Sequence, residues 1–259
     1  MKIGIIGAGN IARAIVIGLI SDKTRPDKIM VSDPNEKKIA ELNRYGIKKG
    51  TNEQVVKFAD VLILAVKPNV YEEVLPEVAD AKKLVVSIAA GISLDYIKGF
   101  LGDGARVVRV MPNTPALAGA GMTAVCADGA ADSDLETVKS IFSSLGKVLV
   151  TTEKYIDAVC GVSGSGPAYV FTMIDAMADG GVACGLTKSD AVTLAAQTVF
   201  GSAKLLLETG MHPAELRDMV CSPGGTTIDA VKALEQNGFR AALIEAVEAA
   251  CEKSKILKK

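Results

Sequence analysis

Short apolar runs alternate with amphipathic stretches along the chain as far as about Thr152, and beyond it they stop. Runs rich in Val and Ile lie at 3–6, 28–31, 61–66, 84–88 and 107–110. They do not alternate between apolar and polar, as expected of strands covered on both faces. Candidate helices fill the gaps at 10–20, 35–45, 70–78 and 94–100, and Thr51-x-x-Gln54 opens another as a capping box. This order predicts a parallel sheet with helices on both faces. Two more strands, 122–127 and 147–150, flank a helix that Ser133-x-x-Glu136 would open in the same way. After Thr152 only helical segments follow, at 167–179, 188–208, 213–220, 227–237 and 240–258. Pro167 and Pro213 suit first helical positions, Thr187-x-x-Asp190 resembles a cap, and Gly210 and Gly238 suit helix ends. The expected organisation is an α/β domain over 1–152 and an all-α domain over 153–259. The helices of the second are alanine-rich and apolar over much of their circumference. That exceeds what one small core can use, so a homo-oligomer is expected.

Composition narrows the chemistry. The 259 residues suit one large domain or two of ordinary size. Lys plus Arg (29) nearly cancels Asp plus Glu (30), which gives no electrostatic footprint for nucleic acid or an anionic membrane. One His, no Trp and five Tyr exclude a multi-His metal site within one chain and an aromatic stacking platform of the single-strand-binding kind; no metal is expected. The cysteines, Cys126, Cys160, Cys184, Cys221 and Cys251, form no CxxC pair and fit a reducing cytoplasm. The apolar start imitates a signal peptide, but its glycines and Arg13 argue against one. The uncharged stretches 110–127 and 158–174 are broken by Pro and Gly, so no membrane span is expected. Glycine is abundant (25) where side chains that commonly carry chemistry are few. Backbone, hydroxyls and a borrowed cofactor remain.

Gly7-Ala8-Gly9-Asn10-Ile11-Ala12 follows the first strand and opens the first helix as G-x-G-x-x-A. Gly7 permits the turn, Gly9 lets a pyrophosphate approach, and Ala12 lets helix pack on strand. In this strand–turn–helix context the motif predicts a dinucleotide-binding, Rossmann-type domain. Asp33 ends the second strand, where a carboxylate holds an adenosine ribose and repels a 2′-phosphate; Asp before Pro34 is equally a helix cap. Lys37 and Lys38 nearby are either phosphate partners or a solvated face. Ligands of such sheets bind at the carboxyl ends of strands. Those tips read Ala65-Val66-Lys67-Pro68, Ala89-Ala90-Gly91 and Met111-Pro112-Asn113-Thr114. Lys67, Asn113 and Thr114 offer polar groups there, though each is also an ordinary turn or surface residue. Two loops in the second half, Ser163-Gly164-Ser165-Gly166 and Cys221-Ser222-Pro223-Gly224-Gly225-Thr226-Thr227, empty into helix N-termini. The latter is a candidate anion cradle or a plain connection.

The segments GAGNIA, AVKP, MPNTP, SGSGPAY and HPAELRDMVCSPGGTTIDAVKALE occur in this order over essentially the whole chain. Together they resemble the pyrroline-5-carboxylate reductase family. The resemblance implies reduction of 1-pyrroline-5-carboxylate to L-proline by NADH or NADPH, the last step of proline biosynthesis. It implies a Rossmann domain, a helical domain forming a homodimer, and often a ring of dimers. It puts cofactor contacts at Ile6, Gly7, Ala8, Gly9, Asn10, Ile11, Ala12, Asn52, Ala65, Val66, Lys67 and Pro68. Ala90, Gly91, Asn113 and Thr114 join them from the strand ends, and Asp33 from its ribose position. It puts the substrate carboxylate at Ser222, Gly224, Gly225, Thr226 and Thr227, with the Thr227 hydroxyl, the catalytic candidate, on the ring nitrogen. Many members carry a neutral residue where this chain has Asp33, which tilts the expectation toward NADH.

Similar two-domain hydroxyacid dehydrogenases place a Lys on the long helix after the Rossmann domain; segment 167–179 has none. An imine is protonated far more easily than a ketone, so a weak donor suffices. The single His212 precedes Pro213 and reads as a helix cap or surface residue. A hydroxyacid dehydrogenase and a nicotinamide-binding regulator without chemistry remain as alternatives.

Overall fold

The computed structural model describes residues 1–79, 82–126 and 128–257. They form two compact units, Met1–Ser165 with Glu248–Lys259, and Gly166–Val247. That division falls beyond the change of texture at 152, because the turns that follow the last strand pack on the sheet.

The first unit alternates β1 (Ile3–Ile6), α1 (Asn10–Ser21), β2 (Ile29–Ser32), α2 (Glu36–Asn43), β3 (Lys48–Lys49), α3 (Asn52–Phe58), β4 (Val61–Leu64), α4 (Tyr71–Val78), β5 (Leu84–Ser87), α5 (Leu94–Leu101) and β6 (Arg106–Met111). It continues through β7 (Gly121–Cys126), α6 (Asp132–Ser143), β8 (Gly146–Thr151) and a short α7 (Ile156–Val159). One eight-stranded sheet results, ordered β3-β2-β1-β4-β5-β6-β7-β8. Strands β1 to β6 are parallel, and β7 runs antiparallel to β6. The reversal has a cause in length. A parallel return needs a crossover of about a dozen residues or more. Only a 3₁₀ turn, Thr114–Ala118, and left-handed Gly119 separate β6 from β7. Every residue of β1, β4 and β5 is buried, because alternate side chains feed two cores. Val61 and Ile63 of β4 join Val16, Val108 and Phe142 on one face. Leu62 and Leu64 join Tyr71, Ile97 and Val107 on the other.

Several expectations need correction. Helix α6 starts at Asp132 after Ala131 with no side-chain cap, so Ser133-x-x-Glu136 is not a capping box; the Ser133 carbonyl accepts from Thr137 Oγ1 instead. Helix α2 is capped by Asn35 rather than Asp33. The Ser163–Gly164 stretch is not a loop. Cys160–Gly164 winds as a π-turn, closed by the Ser165 N–H on the Cys160 carbonyl at 2.8 Å. Ala127 and Lys258, placed at element ends by the sequence pattern, lie outside the described residues.

The second unit contains α8 (Gly166–Ala183), α9 (Lys188–Thr209), α10 (Pro213–Val220) and α11 (Thr226–Gln236), with α12 (Phe239–Ile256) starting in it. Helices α8 and α9 pair as a hairpin turned by left-handed Gly185. Gly181 permits the approach, since a Cβ there would stand 3.1 Å from that of Ala191. Among the described residues of this unit, the buried apolar side chains are Ala178, Ala191 and Ala195. Phe171, Leu194, Phe200 and Leu207 are each more than half exposed. Three alanines cannot offset the entropy of ordering this unit, at about 1–2 kcal/mol per residue. Among the described residues, no helix is long and apolar enough to cross a membrane.

Candidate functional site

The glycine loop is built as its sequence requires. Gly7 has φ +102° and donates to the Ser32 carbonyl at 2.7 Å. A Cβ there would lie 2.5 Å from the Ala65 carbonyl oxygen, so the turn and the β4 tip are in backbone contact. Gly9 is the N-cap of α1, makes no side-chain cap, and has open space where its Cβ would be. Ala12 is fully buried. Backbone N–H groups at a helix start beside open space suit a pyrophosphate.

Asp33 sits against this loop. Its Oδ2 accepts the Ala8 N–H at 2.8 Å and its Oδ1 accepts the Asn35 N–H at 2.8 Å. Lys38 Nζ approaches to 4.0 Å. Ser32 donates to Asn52 Oδ1 at 2.6 Å, which fixes the start of α3 beside the loop. Gly7, Ser32, Asn52 and Val66 line a cleft of about 430 Å³. Asp33, Glu36, Glu73 and Glu77 also line it, and no Lys or Arg does among the described residues.

The strand tips converge at the carboxyl end of the parallel strands. Ala65 donates to the Ile6 carbonyl at 2.7 Å. Lys67 is exposed and begins a 3₁₀ turn with Pro68. Ala90 leads into left-handed Gly91, where a Cβ would meet the Leu257 carbonyl at 2.8 Å. The Asn113 side chain is occupied. Its Nδ2 donates to the Ser163 carbonyl at 3.2 Å and its Oδ1 accepts the Met122 N–H at 2.8 Å. Only its backbone remains for a ligand, and Thr114 is exposed beside it.

A buried polar group beneath these tips has no simple signature in the sequence. Tyr71, Ser87 and Arg109 are each at most 1% exposed. Burial pushes the Tyr71 phenol up to about 12, against smaller opposing effects of Ser87, Ala89 and Arg109. Arg109 pairs with Glu153 at 2.8 Å. Burial also pushes the Cys126 thiol up to about 12, helped by Asp128, which accepts its proton at 2.9 Å. The folded value lies above the ordinary one, so this contribution to stability is complete below about pH 9 and is lost as pH rises toward 12. At pH 8, iodoacetamide is expected to label exposed Cys184 quickly and to spare Cys126 until the protein unfolds. Peptide mapping reads this directly, and equal labelling would contradict it.

In the second unit, His212 caps α10, its Nδ1 accepting the Ala214 N–H at 3.2 Å. Helix α10 ends at Cys221, and the chain turns into α11. Gly225 donates to the Ser222 carbonyl at 3.1 Å. Gly224 has φ +66°, and a Cβ at Gly225 would crowd the Ser222 hydroxyl. Gly224 is therefore a structural requirement of the turn, whereas at Gly225, with φ −84°, rotation of the Ser222 side chain would relieve most of the crowding. Gly225 caps α11 with no side chain, leaving the first-turn N–H groups of Thr226 and Thr227 open to an anion. Thr226 and Ser222 are exposed and Thr227 is half-buried. Helix α8 carries no Lys.

Comparison with known proteins agrees along the whole chain. Residues 153–257 match the family described as pyrroline-5-carboxylate reductase dimerisation. Residues 2–91 match one described as NADP oxidoreductase, coenzyme F420-dependent. The chain is 48% identical over 265 residues to pyrroline-5-carboxylate reductase of Escherichia coli K12, covering 100% of this chain and 98% of the relative. A solved pyrroline-5-carboxylate reductase from Coxiella burnetii superimposes with a TM-score of 0.92 at 39% identity, covering 100% and 98% of the two chains. The Plasmodium falciparum enzyme, solved with NADP bound, gives 0.91 at 31% identity with the same coverage.

Proposed function

Because the chain belongs to the pyrroline-5-carboxylate reductase family, and is an NAD(P)H-dependent oxidoreductase of proline biosynthesis, we propose that its two glycine turns divide the work of reducing 1-pyrroline-5-carboxylate. The turn at Gly7–Gly9 and the tips at Ala65–Pro68 and Ala90–Gly91 would hold the dinucleotide. The fit rests on the close packing of Gly7 against the Ala65 carbonyl, which brings the turn to the β4 tip, and on the open start of α1 at Gly9. The nicotinamide, when bound, supplies the hydride that adds to the imine carbon. The electron pair of the C=N bond then passes to nitrogen, which takes up one proton from solvent to become the amine.

The start of α11 would hold the substrate carboxylate on the N–H groups that follow Gly225, within the turn Ser222, Gly224, Gly225, Thr226 and Thr227. That helix end carries a partial positive charge, so an anion is stabilised there without a basic side chain. Thr227 Oγ1 would hydrogen-bond the ring nitrogen and keep the imine face oriented. The absence of a Lys from α8 supports an imine over a ketone, since a weak donor serves an imine. Catalysis on this reading is chiefly positioning.

We further place the preference on NADH. Asp33 lies against the Ala8 N–H, and a 2′-phosphate entering that cleft would meet four carboxylates. The five cysteines of the chain are free, which fits a cytoplasmic setting. A homodimer through the helical unit, or a ring of such dimers, would cover Phe171, Leu194, Phe200 and Leu207.

The experiment is a nicotinamide absorbance assay with 1-pyrroline-5-carboxylate, run with NADH and NADPH on wild type and Asp33→Ser. Wild type is expected to oxidise NADH with the higher kcat/KM. The variant is expected to shift that ratio toward NADPH about tenfold, the value of one charge-assisted hydrogen bond. No turnover with either cofactor overturns the reaction; strong wild-type preference for NADPH overturns the role of Asp33.

A further inference from the structure

The loop between β5 and α5 is fixed at both ends by buried polar groups, and neither end relies on the ligand. At its front, the Tyr71 hydroxyl lies 3.2 Å from the Leu64 carbonyl and 2.9 Å from Ser87 Oγ. The inventory closes if Tyr71 donates its one proton to Leu64 and accepts from Ser87. Leu64 is the last residue of β4 and Ser87 the last of β5. One phenol thus joins the two strand ends just before Ala65–Pro68 and Ala90–Gly91. At its back, Glu153 Oε1 accepts the Leu94 N–H at 2.8 Å and is itself held by Arg109 Nη1 at 2.8 Å. Arg109 stands directly across from Ser87 in the sheet register. Its Nε and Nη2 are buried with no partner, so this guanidinium keeps its place for the one ion pair.

We infer that Tyr71 is a positioning residue for the dinucleotide: through Leu64 and Ser87 it helps set the geometry of the β4 and β5 tips that would receive the cofactor. It touches no ligand. This rests on the cofactor placement proposed above, and it adds a residue on α4 that packs behind the site. A Phe ring fills the same space and keeps the apolar contacts, but leaves the Ser87 hydroxyl buried without its acceptor. The strand ends stay paired through the Ile88 N–H on the Leu64 carbonyl at 3.3 Å, but the residues beyond that bond lose their side-chain tie, and affinity falls while the fold is kept.

The test is NADH affinity, measured by fluorescence titration of the full-length protein, together with steady-state kinetics. Tyr71→Phe is expected to raise the NADH Kd and the KM for NADH about tenfold. The KM for the imine should change less than about twofold. Ser87→Ala, a milder change, should raise the NADH Kd in the same direction, and the double variant should be no worse than the worse single one. A purely structural role lowers the melting temperature and leaves the NADH Kd of the folded protein unchanged, and that result overturns the inference. If the titration shows the effect but wild type fails to turn over the imine, the reaction assignment falls and the positioning role stands. Should Tyr71→Phe fail to fold, an unchanged Kd in Ser87→Ala also overturns it.

Discussion

Gly7→Ala should nearly abolish cofactor binding, raising the NADH Kd about a hundredfold or more. Two effects combine. At φ +102° an L side chain is strained, at a cost of about 1–3 kcal/mol. The new methyl would also lie 2.5 Å from the Ala65 carbonyl oxygen and 2.7 Å from its carbon. These are backbone atoms that no rotamer change can move. Overpacking of this kind costs about 1–3 kcal/mol. Relief requires the turn or the β4 tip to shift, and both would hold the pyrophosphate side of the cofactor. Stability should therefore fall by about 2–6 kcal/mol together with affinity. Denaturation and NADH titration check the two parts separately. A variant with normal affinity would mean that the dinucleotide does not lie on this turn.

Thr227→Ala should lower kcat about a hundredfold while leaving the NADH Kd and the melting temperature close to wild type. Thr227 sits in the first turn of α11, half-buried, and its side chain caps nothing there. Alanine suits the helix at least as well, so lost turnover would report the missing hydroxyl and not a damaged fold. A hundredfold corresponds to about 2.7 kcal/mol of transition-state stabilisation. Thr227→Ser restores the hydroxyl and should recover most of the rate. Unchanged turnover in the alanine variant would remove Thr227 from the mechanism.

Sequence reading located the strands well because a strand buried on both faces is written as an unbroken Val and Ile run. It located the glycine loop because Gly7, at φ +102° and against the Ala65 carbonyl, answers a steric demand that no other residue meets. It failed where the signal is not local. Strand β3 is only Lys48–Lys49, both exposed, and no apolar pattern marks it. The capping expectation at Ser133 failed because the helix starts earlier, with Ala131 at the cap position, and takes Ser133 into its first turn. The π-turn at Cys160–Gly164 depends on one extra residue per turn, which composition does not encode. Asp33 was legible as a residue of interest but ambiguous in role, and only its bond to Ala8 separates it from the cap at Asn35. Tyr71, Ser87 and Arg109 are unremarkable singly. They matter because three distant stretches bring them under the same strand ends.

Helix α12 begins with the helical unit, yet residues Glu248–Lys259 belong to the first. Ser254 donates to Asp157 at 2.7 Å, and the Leu257 carbonyl lies against Gly91. The helical unit is thus an insertion, and the nucleotide-binding unit is sewn shut by a stretch of chain that follows it. During vectorial synthesis the sheet can assemble early, but it gains this closing segment only after α8 to α11 have emerged. A fusion or tag at the C-terminus would therefore burden the cofactor unit, although it is attached at the opposite end of the sequence.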